Sequence, residues 1–285
     1  MSKSIDKVIE VIQSYMTDGE LIWHKPFLTA SQTNAFSKNE YQGINHFITA
    51  IVAFSEGYSS PYWATFRQIK ELGGHLVDAK GKGIPIIFFK ELLGKEEAET
   101  DNRRFVIKHS FVFNLDLVEG IDLKLEHPKR VAFDQDTGSE LIINQYLDKE
   151  SIQVSSGPPS YSPTTDVVRI PPIEHFISQD EYYSAFFHEL AHSTGHHSRL
   201  ARFETGQVRY DGKEEYSKEE LVAEITAALI CHECGVDSQA SIKNSAGYLQ
   251  GWSTFIKESG SAFITAVGQA YKAKDFIINQ STELI

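Results

Sequence analysis

Cysteine is nearly absent: the 285 residues hold two, Cys231 and Cys234. Two thiols three residues apart cannot build a disulfide framework, and a lone C-x-x-C has no second motif with which to form a zinc or redox site. Both are read as structural, and a reducing cytoplasm is the expected location. Long apolar runs are also missing. Hydrophobic residues make up 41% of the chain, yet no stretch reaches the roughly eighteen apolar residues that a membrane helix needs, so no membrane partner is expected. The start, Met1-Ser2-Lys3-Ser4-Ile5-Asp6, lacks the apolar core of a secretion signal. Internal repeats and low-complexity tracts are lacking as well. Positive charge is scarce and unevenly spread. Up to residue 135 the chain has 16 Lys and Arg against 18 Asp and Glu, a net −2; beyond it 11 stand against 21, a net −10. An acidic second half argues against phosphate binding there, and any nucleic-acid contact in the first half must come from a local patch.

What is present is His188-Glu189-Leu190-Ala191-His192, an H-E-x-x-H motif. On a helix, positions i and i+4 differ by roughly 40° of rotation and one turn of rise, so His188 and His192 project side by side. Two neutral imidazoles so placed can grip one Zn²⁺. Glu189 lies beside the open coordination position and can take a proton from metal-bound water. The neighbours Tyr182, Tyr183, Phe186, Phe187, Leu190 and Ala191 recur at helical spacing, which puts one side of this helix in a core. Ser178 or Asp180 is placed to cap its start, and Gly195 to end it. The competing reading, two ordinary histidines on a buried helix, is weakened by a second acidic helix downstream.

Around the motif, the pattern predicts helices over 4–17, 45–54, 59–74, 139–150, 217–231 and 246–279. It predicts strands over 84–90, 104–113, 152–155 and 166–170. Charged loops are expected over 95–102 and 204–215, and Pro128–Asp136 reads as a domain boundary. The length suits two domains, taken as 1–130 and 131–285. The fold class is α+β: a small N-terminal α+β domain, then a mostly helical domain with a short sheet.

Catalytic zinc sites use three protein ligands and a water. For the third, His196 follows Gly195, which takes it off the helix. A longer pattern, H-E-x-x-H-x-x-G-x-x-H, would place its last histidine where Ser198 stands. Glu220 and Glu224 remain, four residues apart on one helix face. The stretch Glu219–Leu229 resembles the second zinc helix of gluzincin-type metallopeptidases, where a glutamate ligand is followed four residues later by an acid that orients a histidine. That resemblance makes Glu220 the ligand and Glu224 the acid behind a histidine. The alternative is that Ser217-Lys218-Glu219-Glu220 is a capping box, which leaves Glu224 as the ligand. Tyr210, His196 and His197 are all candidates for stabilising an oxyanion.

Two further stretches carry a wider resemblance. Tyr41-Gln42-Gly43-Ile44-Asn45, Ser60–Gln68 and Glu71-Leu72-Gly73-Gly74 resemble the N-terminal domain of ArdC-type antirestriction proteins. Residues 182–200 and 219–228 resemble that family's zincin-like metallopeptidase domain. The resemblance implies an N-terminal domain that binds single-stranded DNA without sequence preference, a zinc-dependent peptidase site acting on an unidentified protein or peptide, and a link to mobile elements. Where the family has a more basic loop, this chain has Leu76-Val77-Asp78-Ala79-Lys80-Gly81-Lys82-Gly83. Single strands are held by aromatic platforms and cationic side chains. Arg67, Lys70, Lys80 and Lys82, with Trp23, Tyr41, Tyr62, Trp63 and Phe66, supply both types. Two other readings stand beside this one: a DNA-binding protection protein with a structural or vestigial zinc site, and a regulatory protease that cleaves one specific protein.

Overall fold

The structure, a computed structural model, describes residues 3–17, 20–21, 31–92, 104–121, 135–203, 213–236, 255–256 and 258–279. Trp23, Tyr210, the 95–102 loop and most of the 204–215 loop lie outside them. The fold is mixed α+β. By contacts the chain divides into two units, Met1–Thr17 with Ala30–Pro128, and Asp18–Thr29 with Lys129–Ile285.

The first unit is built on a four-stranded sheet. Its strands are β1 (Thr33–Asn34), β2 (Tyr62–Thr65), β4 (Ile84–Leu92) and β5 (Arg104–Asn114), in the order β1-β2-β5-β4. Strands β4 and β5 form a long antiparallel pair running from Ile84 opposite Val112 to Leu92 opposite Arg104. Pro85, which has no N–H to donate, is tolerated because β4 is an edge strand among the described residues. Asn45 covers part of that edge: its Nδ2 donates to the Ile87 carbonyl (2.7 Å) and its Oδ1 accepts from the Ile87 N–H (2.8 Å). Helix α1 (Lys3–Ser14) buries Ile5, Val8, Ile9 and Ile12, a single stripe. Helix α2 (Gly43–Ser55) is buried on nearly all sides, including His46 and Thr49. A short pair, β3 (His75–Leu76) with β6 (Val118–Glu119), closes the unit.

The helix expected over 59–74 is a strand followed by a short helix. Tyr62–Thr65 pairs with β5, Trp63 opposite Asn114 and Thr65 opposite Val112. Helix α3 (Phe66–Glu71) starts only at a capping box: Thr65 Oγ1 accepts from the Gln68 N–H (3.2 Å), and Gln68 Oε1 accepts from the Thr65 N–H (2.8 Å). Aromatic and β-branched residues next to an available sheet edge override the helical spacing.

In the second unit, α4 (Gln135–Glu150), α5 (Gln179–Ser193), α6 (Lys213–Cys234) and α7 (Gly260–Asn279) surround one core. Helix α5 packs on α6, and α6 on α7. A small sheet runs β8-β9-β7, with β7 (Gln153–Ser155) parallel and β8 (Ser160–Ser162) antiparallel to β9 (Val167–Arg169). The sequence pattern missed β8, whose Ser-Tyr-Ser has little strand character. Cys231 and Cys234 are buried in the core with their thiol pKa values raised by burial, Cys234 to about 11. No helix among the described residues is long and apolar enough to cross a membrane.

Candidate metal centre

Helix α5 starts where the sequence marks it. Ser178 Oγ accepts from the Glu181 N–H (3.1 Å), and Glu181 Oε2 accepts from the Ile177 N–H (2.9 Å). Tyr183, Phe186, Phe187, Leu190 and Ala191 are buried, so His188, Glu189 and His192 lie on the flank that meets α6. The helix ends at Ser193, and Gly195 matters for its lack of a side chain. A Cβ there would sit 2.6 Å from the Phe203 ring and 3.1 Å from the His192 carbonyl.

Helix α6 begins at Lys213, so Ser217 lies within it and not at its first turn's flank. The helix brings Glu220 to the histidines. His188 Nε2 and His192 Nε2 are 3.1 Å apart, and each lies 3.6 Å from a carboxylate oxygen of Glu220. The three form the cluster of potential metal ligands found among the described residues, all ligand atoms within 4.8 Å. A metal with bonds of about 2.0–2.1 Å in tetrahedral geometry sets its ligand atoms about 3.4 Å apart. The 3.1 Å between the two imidazole nitrogens and the 3.6 Å from each to one or other Glu220 oxygen lie near that value, so the donor set suits a single ion.

Each histidine has a second carboxylate at its other ring nitrogen. Glu224 Oε1 lies 3.8 Å from His188 Nδ1, and Glu219 Oε1 lies 3.4 Å from His192 Nδ1. A carboxylate hydrogen-bonded at that nitrogen fixes the ring of a histidine ligand; Glu219 is within that reach, and Glu224 stands just outside it. Glu219 has a cation of its own. Arg202 donates through Nε to Glu219 Oε2 (3.0 Å) and through Nη2 to Oε1 (2.7 Å). Sequence reading overlooked Glu219 and Arg202. Glu219 adjoins Glu220 in a charged run, and Arg202 stands 17 residues away in an unpatterned segment.

Burial opposes charge on His188, but Glu220, Glu224 and Glu189 outweigh it and push its pKa up to about 9. Burial raises Glu189 above the ordinary carboxylate range, against the pull of both histidines; the Tyr161 backbone also faces it. Burial would raise Glu219 too, but hydrogen bonds from His192 and Arg202 hold it below that range. His196 is not in this cluster and is bonded through Nδ1 to Ser198 Oγ (2.7 Å), and His197 is exposed.

In the first unit, the residues proposed to touch DNA separate by exposure. Trp63 is fully buried and donates from Nε1 to Gln32 Oε1 (2.6 Å), so it belongs to the core and offers no stacking face. Tyr41 is half-buried, and its hydroxyl accepts from Asn34 Nδ2 (3.1 Å). Arg67 is exposed and paired with Glu71 (2.8 Å). Lys70 and Lys80 are exposed and Lys82 half-buried. Among the described residues of this unit the exposed large aromatic side chains are Phe36, Phe66, Phe88, Phe89 and Phe111. Lys70 Nζ stands 4.8 Å from the Phe66 ring centre, and Lys7 Nζ 5.0 Å from that of Phe111.

Residues 2–113 match the model of the N-terminal domain of anti-restriction factor ArdC, and residues 143–269 match that of a zincin-like metallopeptidase. Two crystal structures of the antirestriction protein ArdC from plasmid R388 resemble the whole chain. The Mn(II)-bound one is 28% identical with a TM-score of 0.76, covering 99% of both chains, and the metal-free one is 27% identical with a TM-score of 0.77, covering all of both. An uncharacterised protein of Sinorhizobium fredii is 24% identical over 97% of this chain and 91% of its own. A DNA primase TraC of Escherichia coli is 26% identical over 96% of this chain, which spans 27% of the primase's length.

Proposed function

From the premise that this chain belongs to the ArdC-like antirestriction family, with an ArdC N-terminal domain followed by a zincin-like domain, we propose that it is a zinc-dependent peptidase joined to a single-stranded-DNA-binding domain. The peptidase is placed in residues 131–285 and the DNA-binding domain in 1–130. The observation that carries the peptidase reading is the convergence of His188, His192 and Glu220, among the described residues a set of three ligands rather than the four of a structural zinc site.

His188, His192 and Glu220 would hold the ion, with Glu224 and Glu219 beside the two rings. A metal bound there would supply Lewis acidity to a scissile carbonyl and lower the pKa of a bound water toward 7. Glu189, buried and with a raised pKa, is suited to take a proton from the attacking water and return it to the leaving amine. Strand β8 lies at a sheet edge among the described residues and packs on α5. An extended peptide adding to that edge runs alongside Glu189.

For the first unit, the reading rests on Phe66 beneath Lys70, with Arg67 one residue along and Lys80 exposed. Rings carrying a cation suit stacked bases and phosphates without base readout. Because phosphate contacts release counterions, binding is expected to weaken steeply with salt.

The test is a proteomic comparison of cells expressing the wild-type chain with cells expressing Glu189→Gln. A protein cleaved only with wild type supports the peptidase. Equal protection of DNA by both, with no cleavage difference, assigns the centre a structural role instead.

A further inference from the structure

We infer that Arg202 is the positioning residue of the metal centre, holding Glu219 against His192 and thereby fixing how His192 presents Nε2 to the ion. The inference rests on the metal reading of His188, His192 and Glu220. Its basis is the pattern of bonds made by one guanidinium. Two donors take both oxygens of Glu219, the fork geometry that arginine offers and lysine does not. A third, Nη1, donates to Thr194 Oγ1 (2.7 Å), and Nη2 also donates to the Ala191 carbonyl (2.9 Å). Ala191 and Thr194 flank His192 at the end of α5. The same group thus grips the Ala191 carbonyl and the Thr194 hydroxyl on either side of His192 and the carboxylate behind its ring.

This clamp is buried, with Arg202 side-chain exposure at 6% and that of Glu219 at 9%. Ion pairs so enclosed keep one geometry, and losing one partner leaves the other charge stranded. His192 faces at 3.4 Å a carboxylate bound twice by this one cation. The clamp also joins the turn after α5 to α6, which carries the third ligand. Leu200 and Ala201 fold that turn back by donating to the Thr194 and His196 carbonyls.

The experiment is a Co²⁺ titration of the full chain by visible absorption, with affinity from chelator competition. The proteins are wild type, Arg202→Gln, Arg202→Lys, Glu219→Gln and the double variant Arg202→Gln/Glu219→Gln. Each single glutamine variant should weaken Co²⁺ binding about 10–100-fold, as loss of a ligand's supporting partner does, and should alter the cobalt spectrum. Arg202→Lys should fall between wild type and Arg202→Gln. The double variant should bind no more weakly than the weaker single, because the two residues act as one unit. Wild-type affinity and spectrum in Arg202→Gln, even with lowered thermal stability, would overturn the inference, as would fully additive losses. If Co²⁺ stays on a His188→Ala/His192→Ala double variant, the metal reading itself falls.

Discussion

Glu220 and Glu224 lie one turn apart on α6 but meet opposite ring nitrogens of His188. Only one of them can be bound to an ion held by Nε2. Glu220→Ala should therefore abolish most zinc affinity, and Glu224→Ala should retain zinc but bind it about 10–100-fold more weakly. Zinc titrations of the two variants decide it; unchanged affinity in Glu220→Ala rejects the assignment. Trp63 and Phe66 give a similar contrast in the first unit. Trp63→Ala removes a fully buried indole and should cost about 3–5 kcal/mol, read by denaturant titration. Phe66→Ala, at a ring 50% exposed, should leave stability nearly unchanged and weaken single-stranded-DNA binding, read by filter binding at low salt. Equal DNA affinity in Phe66→Ala and wild type counts against the platform. At this scale the H-E-x-x-H spacing was legible because it needs only local helix geometry. Trp63 against Phe66 was not, since both are aromatic residues in one segment and sheet pairing decides which is enclosed.

The elements around the centre are tied together by charge as well as by packing. Arg199, almost fully enclosed, donates to both oxygens of Asp166 and to the Ser193 carbonyl at the end of α5. Tyr161 of β8 donates to Asp166 Oδ1 (2.7 Å). Burial alone would raise Asp166, but Arg199 and Tyr161 outweigh it and its pKa lies below the ordinary value. A carboxylate with a lowered folded pKa stabilises fully above its unfolded pKa, about 4, and loses that contribution as pH falls through the folded one. Thermal unfolding of the second unit should therefore show an acid-sensitive loss of stability that begins near pH 4. Asp166→Asn should flatten that dependence while lowering stability at neutral pH; an acid limb of wild-type steepness in the variant contradicts the argument. Long elements were readable in the sequence: α1 and α5 carry apolar residues at helical spacing, α2 is apolar along its length, and β4 and β5 are rich in Val, Ile and Phe. The strand at 62–65 and β8 were not, because four- and three-residue strands take their identity from a partner far along the chain.

Across the whole molecule, the order of the two domains was visible in the motifs, and the family comparison agrees with it. The clamp on Glu219 was invisible, because Arg202 and Glu219 are joined only when α6 folds back on α5. The charge imbalance remains a physical constraint. With the chain at −12, DNA binding must draw on a local cationic surface, so its salt dependence should exceed what the net charge suggests. The central claim is that one catalytic metal sits on His188, His192 and Glu220. Its most direct test is the metal content of the purified full chain beside that of His188→Ala/His192→Ala. We expect one zinc per chain in the wild type and none in the double variant; zinc retained at full occupancy in the double variant would contradict the site.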